Sequence, residues 1–415
     1  MQAVILAVGD ELTGGLKVDT NSAALSARLA ARGIATVRHE TVGDDLASLA
    51  VALRRAAGDA DVIIVTGGLG PTEDDLTRHA LADALGVDLI ADARSLERIA
   101  GFFAARGRPM SDNNRRQALI PAGAEAIDND AGTAPGIAAR LGAADVFVLP
   151  GPPGEMTPMF DRSIAPRLPQ AGAIVRRRWH CFGAGESNIA ERIADLMVRG
   201  RNPQVGTTAS GGVITVHVVA RSATVADACA AAEADAGEVA SRLGTLIFGA
   251  DGQTLPEVVG AALAAAEQTL ATAESCTGGM IGELITGVPG ASAWFRGGVV
   301  AYSNAAKTDL LGVEPDLIAA HGAVSEPVAA AMAEGARRAL GADWSVAVTG
   351  VAGPGGGSDD KPVGLVFIAV ASAGGAAVHR YSFAGARDAV RRRAALTALN
   401  HLRLAVADAQ TTRET

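Results

Sequence analysis

Three side chains capable of nucleophilic or acid–base chemistry occur in one stretch of the sequence, residues 271 to 307. The stretch opens with A-T-A-E-S-C-T-G-G, which places Ser275 on a tight turn between an apolar run and a helical pattern. It closes with V-V-A-Y-S-N-A-A-K, which contains Tyr302 and Lys307. A serine beside the free N–H groups of a helix start predicts a nucleophile, an oxyanion site or a phosphate site. A simple helix cap is the structural alternative for Ser275.

Lysine is scarce in this chain, because only three of its 36 Lys and Arg residues are lysines: Lys17, Lys307 and Lys361. A lysine amine can lose its proton near neutral pH when its surroundings lower its pKa, whereas a guanidinium cannot. Serine with a lysine base and a nearby tyrosine forms a nucleophile without histidine. Ser275 is part of neither a G-x-S-x-G nor an S-x-x-K motif.

Composition limits the function classes. The 415 residues predict two to three domains, and 49% apolar with 20% charged residues indicates a globular protein. A net charge of −9 argues against nucleic acid as the main partner. The scattered Cys181, Cys229 and Cys276 form neither a disulfide framework nor a zinc site, which predicts the cytoplasm. No apolar run predicts a membrane span, and the amino terminus reads as a first strand.

The first part of the chain alternates strand and helix patterns, which predicts an α/β fold with its site at the carboxyl ends of the strands. The loop T-G-G-L-G-P-T-E-D-D follows the buried run that ends at Val65. Its glycines favour a close approach to a phosphate, to which a threonine hydroxyl can add. These residues are Gly67, Gly68, Gly70 and Thr72.

Acidic residues follow the same strand ends. Asp74 and Asp75 come after the glycine loop, and Asp10 comes after the first strand. Carboxylates beside a phosphate loop predict a hard divalent metal, here Mg, Mn or Co. The alternative is that acids only favour the start of a helix.

Two sets of motifs resemble one protein family. The combination of G-G-L-G-P-T-x-D-D, G-T-A-P-G and P-G-P-P-x-E-M resembles the molybdopterin-binding-like domain of the CinA family of competence/damage-inducible proteins. E-S-C-T-G-G, A-Y-S-N-x-x-K, V-T-G-x-A-G-P-G-G-G and K-P-V-G resemble the carboxyl-terminal domain of the same family. The resemblance covers nearly the whole chain. It implies a molybdopterin-binding-like α/β sandwich, a KH-like α+β connector and an α/β amidohydrolase domain.

The resemblance implies three domains, at residues 1–170, 171–250 and 251–410. The middle one shows a β-α-β-β-α-β pattern, but its turn reads G-A-G-E-S and lacks the G-x-x-G loop of RNA-binding KH domains. We therefore expect a connector or a dimer element there, a homodimer overall, and partners that include neither nucleic acid nor a membrane. Residues 408–415 are predicted to be a frayed tail.

Two activities are implied by the resemblance. The carboxyl-terminal domain is expected to hydrolyse the carboxamide of nicotinamide mononucleotide (NMN) without a cofactor, with Ser275 as nucleophile and Tyr302 and Lys307 handling the proton. The amino-terminal domain is expected to be a metal-dependent ADP-ribose pyrophosphatase. By motif, the residues that contact NMN are Thr277, Gly278, Gly279, Thr349, Gly353 and Arg387.

Two questions stay open at the level of sequence. Arg391, Arg392 and Arg393 compete with Arg387 for the phosphate contact. A non-catalytic nucleotide-binding or regulatory protein, linked to competence or DNA damage, is the alternative to an enzyme. The presence of Ser275, Lys307 and the acidic residues favours the enzyme.

Overall fold

The computed structural model describes residues 1–414, with side chains up to Thr411. The chain divides into two compact units: Met1–Val175 with Val219–Ala232, and Arg176–Val218 with the remainder from Glu233. Within the described residues, no helix is both long and apolar enough to cross a membrane.

The amino-terminal part is an α/β layer structure, as predicted. Its six-stranded sheet has the order β2-β1-β3-β8-β7-β6, in which β2, β1, β3 and β8 are parallel and β7 and β6 antiparallel. A separate antiparallel pair joins β4 and β5. The strands are β1 (Gln2–Val8), β2 (Ala35–Val42), β3 (Val62–Thr66), β4 (Leu89–Ala91), β5 (Leu119–Pro121), β6 (Glu125–Ile127), β7 (Gly136–Leu141) and β8 (Ala144–Leu149). The helices are α1 (Asp10–Thr13), α2 (Asn21–Ala31), α3 (Leu46–Asp59), α4 (Thr77–Leu85), α5 (Ala93–Ala104) and α6 (Pro153–Met159).

The central strands β1, β3 and β8 are buried on both faces, which explains their nearly continuous apolar sequences. Alternate residues of β1 serve different cores: Val4 and Leu6 pack with α3, whereas Ala3 and Ile5 pack with α2. The parallel strands place their carboxyl ends along one edge, where the loops after Val8, Val42 and Thr66 meet.

The KH-like segment shows the predicted β-α-β-β-α-β order. Its strands form a four-stranded sheet of order β10-β11-β9-β12. The elements are β9 (Ala173–Cys181), α7 (Glu186–Arg192), β10 (Gln204–Ser210), β11 (Val213–Ser222), α8 (Val225–Leu243) and β12 (Ile247–Ala250). The first helix of this pattern, α7, is short and ends at Arg192.

The carboxyl-terminal part is a second α/β layer structure. Its sheet has the order β14-β13-β15-β16-β17, in which β14, β13 and β15 are parallel and the other pairs antiparallel. The strands are β13 (Leu270–Glu274), β14 (Phe295–Val300), β15 (Trp344–Gly350), β16 (Leu365–Ser372) and β17 (Gly375–Ser382). The helices are α9 (Leu255–Ala265), α10 (Met280–Thr286), α11 (Asn304–Leu311), α12 (Pro315–His321), α13 (Glu326–Leu340) and α14 (Arg387–Glu414).

Helix α13 covers one face of this sheet, and α9 with α14 covers the other. Because α14 continues to Glu414, the prediction of a frayed tail from residue 408 is wrong for the described residues; Thr415 lies outside them. The apolar face of α14 runs through Val390, Leu399 and Val406, so packing against α9 and the sheet extends the helix.

Candidate active sites

Ser275 lies at the carboxyl end of a central strand. Strand β13 ends at Glu274, and the backbone N–H of Ser275 still bonds the Val348 carbonyl of β15 at 2.9 Å. The turn that follows requires left-handed backbone at two successive glycines, Gly278 with φ +63° and Gly279 with φ +94°. Only glycine adopts this conformation without strain. Sheet and turn together fix the Ser275 side chain, which is buried apart from a small exposed fraction.

Lys307 contacts Ser275 directly. It lies in the first turn of α11. Ser303 caps this helix, because its side chain accepts a hydrogen bond from the N–H of Ala306 at 3.1 Å. Lys307 Nζ donates to Ser275 Oγ at 3.1 Å and to the Ala301 carbonyl at 2.9 Å. The side chain is only 1% exposed. The sequence prediction that these two residues come together is therefore met in geometry.

The surroundings of Lys307 favour a neutral amine. Burial lowers its pKa from the ordinary value of 10.5. Among the described residues no carboxylate forms an ion pair with it. An uncharged Nζ has a free lone pair, so it can take the proton of the hydroxyl that it contacts.

Glu274 corrects one expectation about this turn. The backbone N–H groups near Gly278 are predicted to be free for an oxyanion. Instead, the Glu274 carboxylate, only 2% exposed, accepts from the N–H groups of Gly279 and Ile281 at 3.0 Å and of Gly282 at 2.8 Å. A carboxylate there satisfies the unpaired donors of α10 and its positive dipole end.

Two other N–H groups remain for an oxyanion. The N–H of Gly278 bonds the Ser275 carbonyl at 3.1 Å. Among the described residues, the backbone N–H groups of Cys276 and Thr277 donate to no backbone carbonyl, and that of Cys276 faces its own thiol. They follow the serine directly, which is the usual position of one oxyanion donor in serine hydrolases.

Tyr302 does not bridge Lys307 and Ser275. Its side chain is 60% exposed, and its hydroxyl accepts from Arg387 Nη2 at 3.0 Å. No bond from the Tyr302 hydroxyl to Ser275 or Lys307 occurs within residues 1–414. This geometry therefore does not support a proton path through Tyr302, whereas Lys307 and Ser275 are in direct contact.

Arg387 and Arg391 both reach this region from α14. Arg387 Nη1 donates to the Gly353 carbonyl at 2.7 Å, and Arg391 Nη2 donates to the Thr277 carbonyl at 2.8 Å. From the sequence alone, Arg391 is one of several candidates for this region. The structure starts α14 at Arg387, so Arg387 and Arg391 are four residues apart and lie on the same face of the helix. The contact of Arg387 with Gly353 links two predicted substrate residues.

The two threonines of the site differ in their partners. Thr349 donates its hydroxyl to the Ala323 carbonyl at 2.8 Å and is fully buried, so this hydroxyl already has a structural role. Thr277 is also fully buried, and its Oγ1 has no partner in the described part of the chain. An unpaired buried hydroxyl is a group that a ligand or water can satisfy.

A second site lies at the strand ends of the amino-terminal sheet. A cavity of about 400 Å³ opens there between the loops after β1, β2, β3 and β8. The glycine loop, the 150–152 turn and several carboxylates line it, namely Glu11, Asp44, Asp74, Asp75 and Glu155. The prediction of a cavity at the carboxyl edge of the strands is met.

The loop glycines are required first by the protein itself. A Cβ on Gly67 would lie 2.3 Å from the Val8 carbonyl oxygen, and one on Gly68 would lie 2.1 Å from Thr77 Oγ1. Both glycines also have positive φ, of +107° and +66°. Because these glycines have no side chains, the loop can pack closely against the ends of the strands. The sequence analysis explains the same glycines by the close approach of a phosphate.

Asp75 and Thr72 hold this loop together. One carboxylate oxygen of Asp75 accepts from the N–H of Gly70 at 2.6 Å, and the other accepts from the Thr72 N–H at 2.8 Å. The Thr72 hydroxyl donates to the same carboxylate. The sequence predicts that Asp75 binds a metal and Thr72 a phosphate. In the structure the two residues are instead hydrogen-bonded to each other. The buried Arg78 supports the loop from below by donating to the carbonyls of Leu69 and Gly70 at 2.5 and 3.0 Å.

Asp44 is a functional candidate that the sequence interpretation missed. It follows β2 as Asp10 follows β1, and the two loops are joined by reciprocal bonds: Asp10 N–H to Asp44 at 2.9 Å and Asp44 N–H to Asp10 at 3.0 Å. Burial raises the pKa of Asp44, and the charges of Asp10, Asp74 and Glu11 raise it further. Asp44 lines the cavity, whereas Asp10 does not. The sequence does contain an indication of this role, because Asp44 belongs to the G-D-D at 43–45 that directly follows β2.

The predicted metal ligands do not form a complete cage. Among the described residues, no group of three or more His, Cys, Asp or Glu side chains is arranged to hold a metal ion. Asp10, Asp74 and Asp75 therefore do not converge as the sequence suggested, because Asp75 turns inward to its own loop and Asp10 to Asp44. The cavity is lined by separate carboxylates that are not grouped around one point.

Comparisons with known proteins give the same picture for each part of the chain. Family models match residues 4–170 ("Probable molybdopterin binding domain"), 176–249 ("Damage-inducible protein CinA KH domain") and 252–406 ("CinA C-terminal domain").

Full-length relatives also match. A protein of Moorella thermoacetica, named among the competence-damage inducible proteins, is 46% identical over 403 residues, 96% of this chain and 97% of its own. A CinA-like protein of Anaeromyxobacter sp. (strain Fw109-5) is 46% identical over 408 residues, 97% of this chain and 98% of its own. The crystal structure of the competence/damage inducible protein CihA from Agrobacterium tumefaciens is 40% identical over 37% of this chain and 93% of that chain, with a TM-score of 0.36.

Proposed function

Because the chain belongs to the CinA family, we propose that it is a bifunctional enzyme that hydrolyses NMN to nicotinic acid mononucleotide and ammonia, and cleaves ADP-ribose in its amino-terminal domain. One observation carries the amidase proposal. The buried Lys307 Nζ, without an ion-pair partner among the described residues, lies 3.1 Å from Ser275 Oγ. A regulatory protein would have no need to bury an unpaired amine against a serine, since burial of such a group costs stability.

The reaction follows from this contact. Neutral Lys307 takes the proton of Ser275 as Oγ bonds to the carboxamide carbon. The N–H groups of Cys276 and Thr277 are placed to stabilise the tetrahedral oxyanion. Collapse breaks the C–N bond, and the proton on Lys307 leaves with ammonia. Water, deprotonated by the same lysine, then attacks the acyl-serine ester; the C–O bond to Ser275 breaks, Lys307 returns the proton to Ser275 Oγ, and the carboxylic acid is released.

The phosphate of NMN is assigned to Arg387, with Arg391 beside it. Arg387 is exposed and already oriented by the Gly353 carbonyl and the Tyr302 hydroxyl. A guanidinium held by neutral acceptors keeps its charge for a phosphate. Tyr302 therefore acts in this proposal by positioning Arg387, and not as a proton relay.

The proposed second activity uses the amino-terminal cavity. A divalent cation suits this wall because Asp44, Asp74 and Glu11 line it with carboxylate oxygens, the ligands that hard cations prefer. Asp44 and Asp74 would hold the ion, with Asp10 orienting Asp44. When bound, such an ion supplies charge stabilisation for a pyrophosphate. The residues of the chain supply the pocket: the glycine loop and the 150–152 turn bind and orient ADP-ribose.

Ammonia release from NMN by the full chain tests the first activity. We expect turnover by the parent protein and loss of at least about 10²-fold in Ser275→Ala. Ser292→Ala, which changes an exposed serine of the same domain, is the matched control and should match the parent. A parent protein that binds NMN but releases no ammonia would favour the regulatory alternative.

Hydrolysis of ADP-ribose with Mg, Mn or Co tests the second activity. Asp44→Asn should lower the rate and the response to metal, because it removes a charge from the cavity wall. Asp45→Asn is the control, since Asp45 only caps α3 by accepting from the Ser48 N–H at 2.8 Å, a role that Asn also fills. Equal rates in the two variants, or no effect of a chelator, would contradict the metal proposal.

A further inference from the structure

A cavity apart from both sites lies in the second compact unit. It measures about 750 Å³, within the range of small-molecule sites. Its walls are the turn at 183–186, the β10–β11 hairpin turn at 209–212, the end of β17, and one face of α14. Neither Ser275 nor Lys307 lines it.

One wall is aromatic. Tyr381 and Phe383 are two residues apart at the end of β17, so their side chains share a side of the strand. Their rings stack with centroids 5.1 Å apart and planes inclined by 6°. The Tyr381 hydroxyl is hydrogen-bonded to His401 Nε2 at 2.6 Å. This bond fixes the wall in the absence of any ligand.

Two polar side chains of α14 line the cavity and keep a hydrogen-bonding group that has no protein partner among the described residues. Asn400 is 7% exposed, and its Oδ1 accepts from Arg403 Nε at 3.1 Å and Nη2 at 3.0 Å. Its amide Nδ2 donates to no protein acceptor within the described chain. Thr397, 6% exposed and one turn earlier, also has no partner for its hydroxyl among these residues. Because both groups open onto the cavity, water or a ligand can form hydrogen bonds with them.

The charges of the cavity are few. Arg393 is the only Lys or Arg that lines it, and no carboxylate pairs with it among the described residues. Among the described residues that line the cavity, Glu186 is the only acid, and it accepts from the Thr207 hydroxyl at 2.9 Å. His401 carries no charge at neutral pH, since burial lowers its pKa to about 4.

We propose that this cavity is a nucleotide-binding site, in which a base packs against Tyr381 and Phe383 and a phosphate binds Arg393. Stacked aromatic rings are the surface on which a planar base packs best. A free guanidinium pairs with a phosphate. Asn400 and Thr397 supply hydrogen bonds to the ribose or base, and Glu186 can accept from an exocyclic amine. This site is additional to the two proposed activities and does not depend on them.

Binding of AMP to the full-length protein tests the proposal. Hydrogen exchange is measured with and without AMP, because it separates this cavity from nucleotide bound elsewhere. We expect protection of the 183–186 and 209–212 turns, and calorimetric affinity that falls about tenfold or more when AMP is replaced by adenosine.

Two neighbouring arginines provide a matched pair. Arg393→Gln should weaken AMP-dependent protection of both turns by about tenfold or more, because the phosphate partner is lost. Arg392→Gln changes a second exposed arginine, whose Nε lies near Gly211 of the hairpin turn but which does not line the cavity, so it should bind AMP as the parent does within about twofold. Thermal melting checks that both variants fold.

The proposal is overturned if up to about 1 mM AMP, the weak end of specific affinity, protects neither turn. It is also overturned if the Arg393 and Arg392 variants bind AMP equally. Asn400→Leu provides a second route: it keeps the branched shape of the side chain without its polar atoms and should weaken AMP binding, whereas unchanged binding would overturn the hydrogen bond assigned to Asn400.

Discussion

Replacement of Lys307 by methionine tests the proposed amidase mechanism most directly. Methionine has nearly the length and volume of the lysine stem and no amine, so it suits a site that is only 1% exposed. The change removes the bonds from Nζ to Ser275 Oγ and to the Ala301 carbonyl. We expect a folded protein with an intact turn and no base.

The size of the effect follows from the role. Loss of a positioned base costs about 10²–10⁴-fold in rate. At about 1.36 kcal/mol for each factor of ten, this is roughly 2.7–5.5 kcal/mol in the barrier. The bond to Ala301 concerns stability instead: its loss leaves a carbonyl without its donor, at a cost of about 1–3 kcal/mol, which the removal of a buried amine offsets in part.

The assay is kcat for ammonia release from NMN, in Lys307→Met, Ser275→Ala and the double variant. If the two residues act as one unit, the double variant should be no slower than Ser275→Ala alone, since their effects are not additive. Lys307→Arg should also be inactive, because guanidinium cannot accept a proton and has little room at a fully buried position. A folded Lys307→Met enzyme within threefold of the parent would refute the role as base.

Three further outcomes follow from the same geometry. The rate of NMN hydrolysis should rise with pH through a pKa below 10.5, because burial lowers the pKa of Lys307 and only its neutral form accepts a proton; a profile flat from pH 6 to 10 would contradict this. Glu274→Gln should lower the free energy of unfolding in urea by about 1–3 kcal/mol, because its carboxylate holds three N–H groups of α10, whereas the exposed Glu283→Gln should change it by less than about 0.5 kcal/mol. Iodoacetamide at pH 8 should label Cys229 before Cys276, since burial raises the pKa of the Cys276 thiol to about 11; mass spectrometry of digested protein decides this.

The sequence alone determined the layer architecture and the chemistry-bearing turns. Strand and helix periods are local properties, so the α/β pattern, the turn at Ser275 and the glycine loop after β3 were all readable from neighbouring residues. Lys307 could also be singled out from the sequence, because lysine is rare and arginine common in this chain, and composition needs no structure.

The contact between Ser275 and Lys307 needed the fold. The two residues are separated by 32 positions, and their meeting depends on parallel pairing of β13 with β14, which sets Glu274 beside Val300. Neighbouring parallel strands bring their carboxyl ends together, so a turn after one strand meets the helix that follows the other.

Only the tertiary structure decided where shared donors and acceptors go. Glu274 takes the N–H groups that the sequence assigned to an oxyanion, and Asp75 takes those of its own loop. Tyr302 faces Arg387 and not Ser275, and Asp44 replaces Asp10 at the cavity wall. Each hydrogen-bonding group has several possible partners in a sequence, and the three-dimensional fold selects among them because only those within about 3 Å can bond.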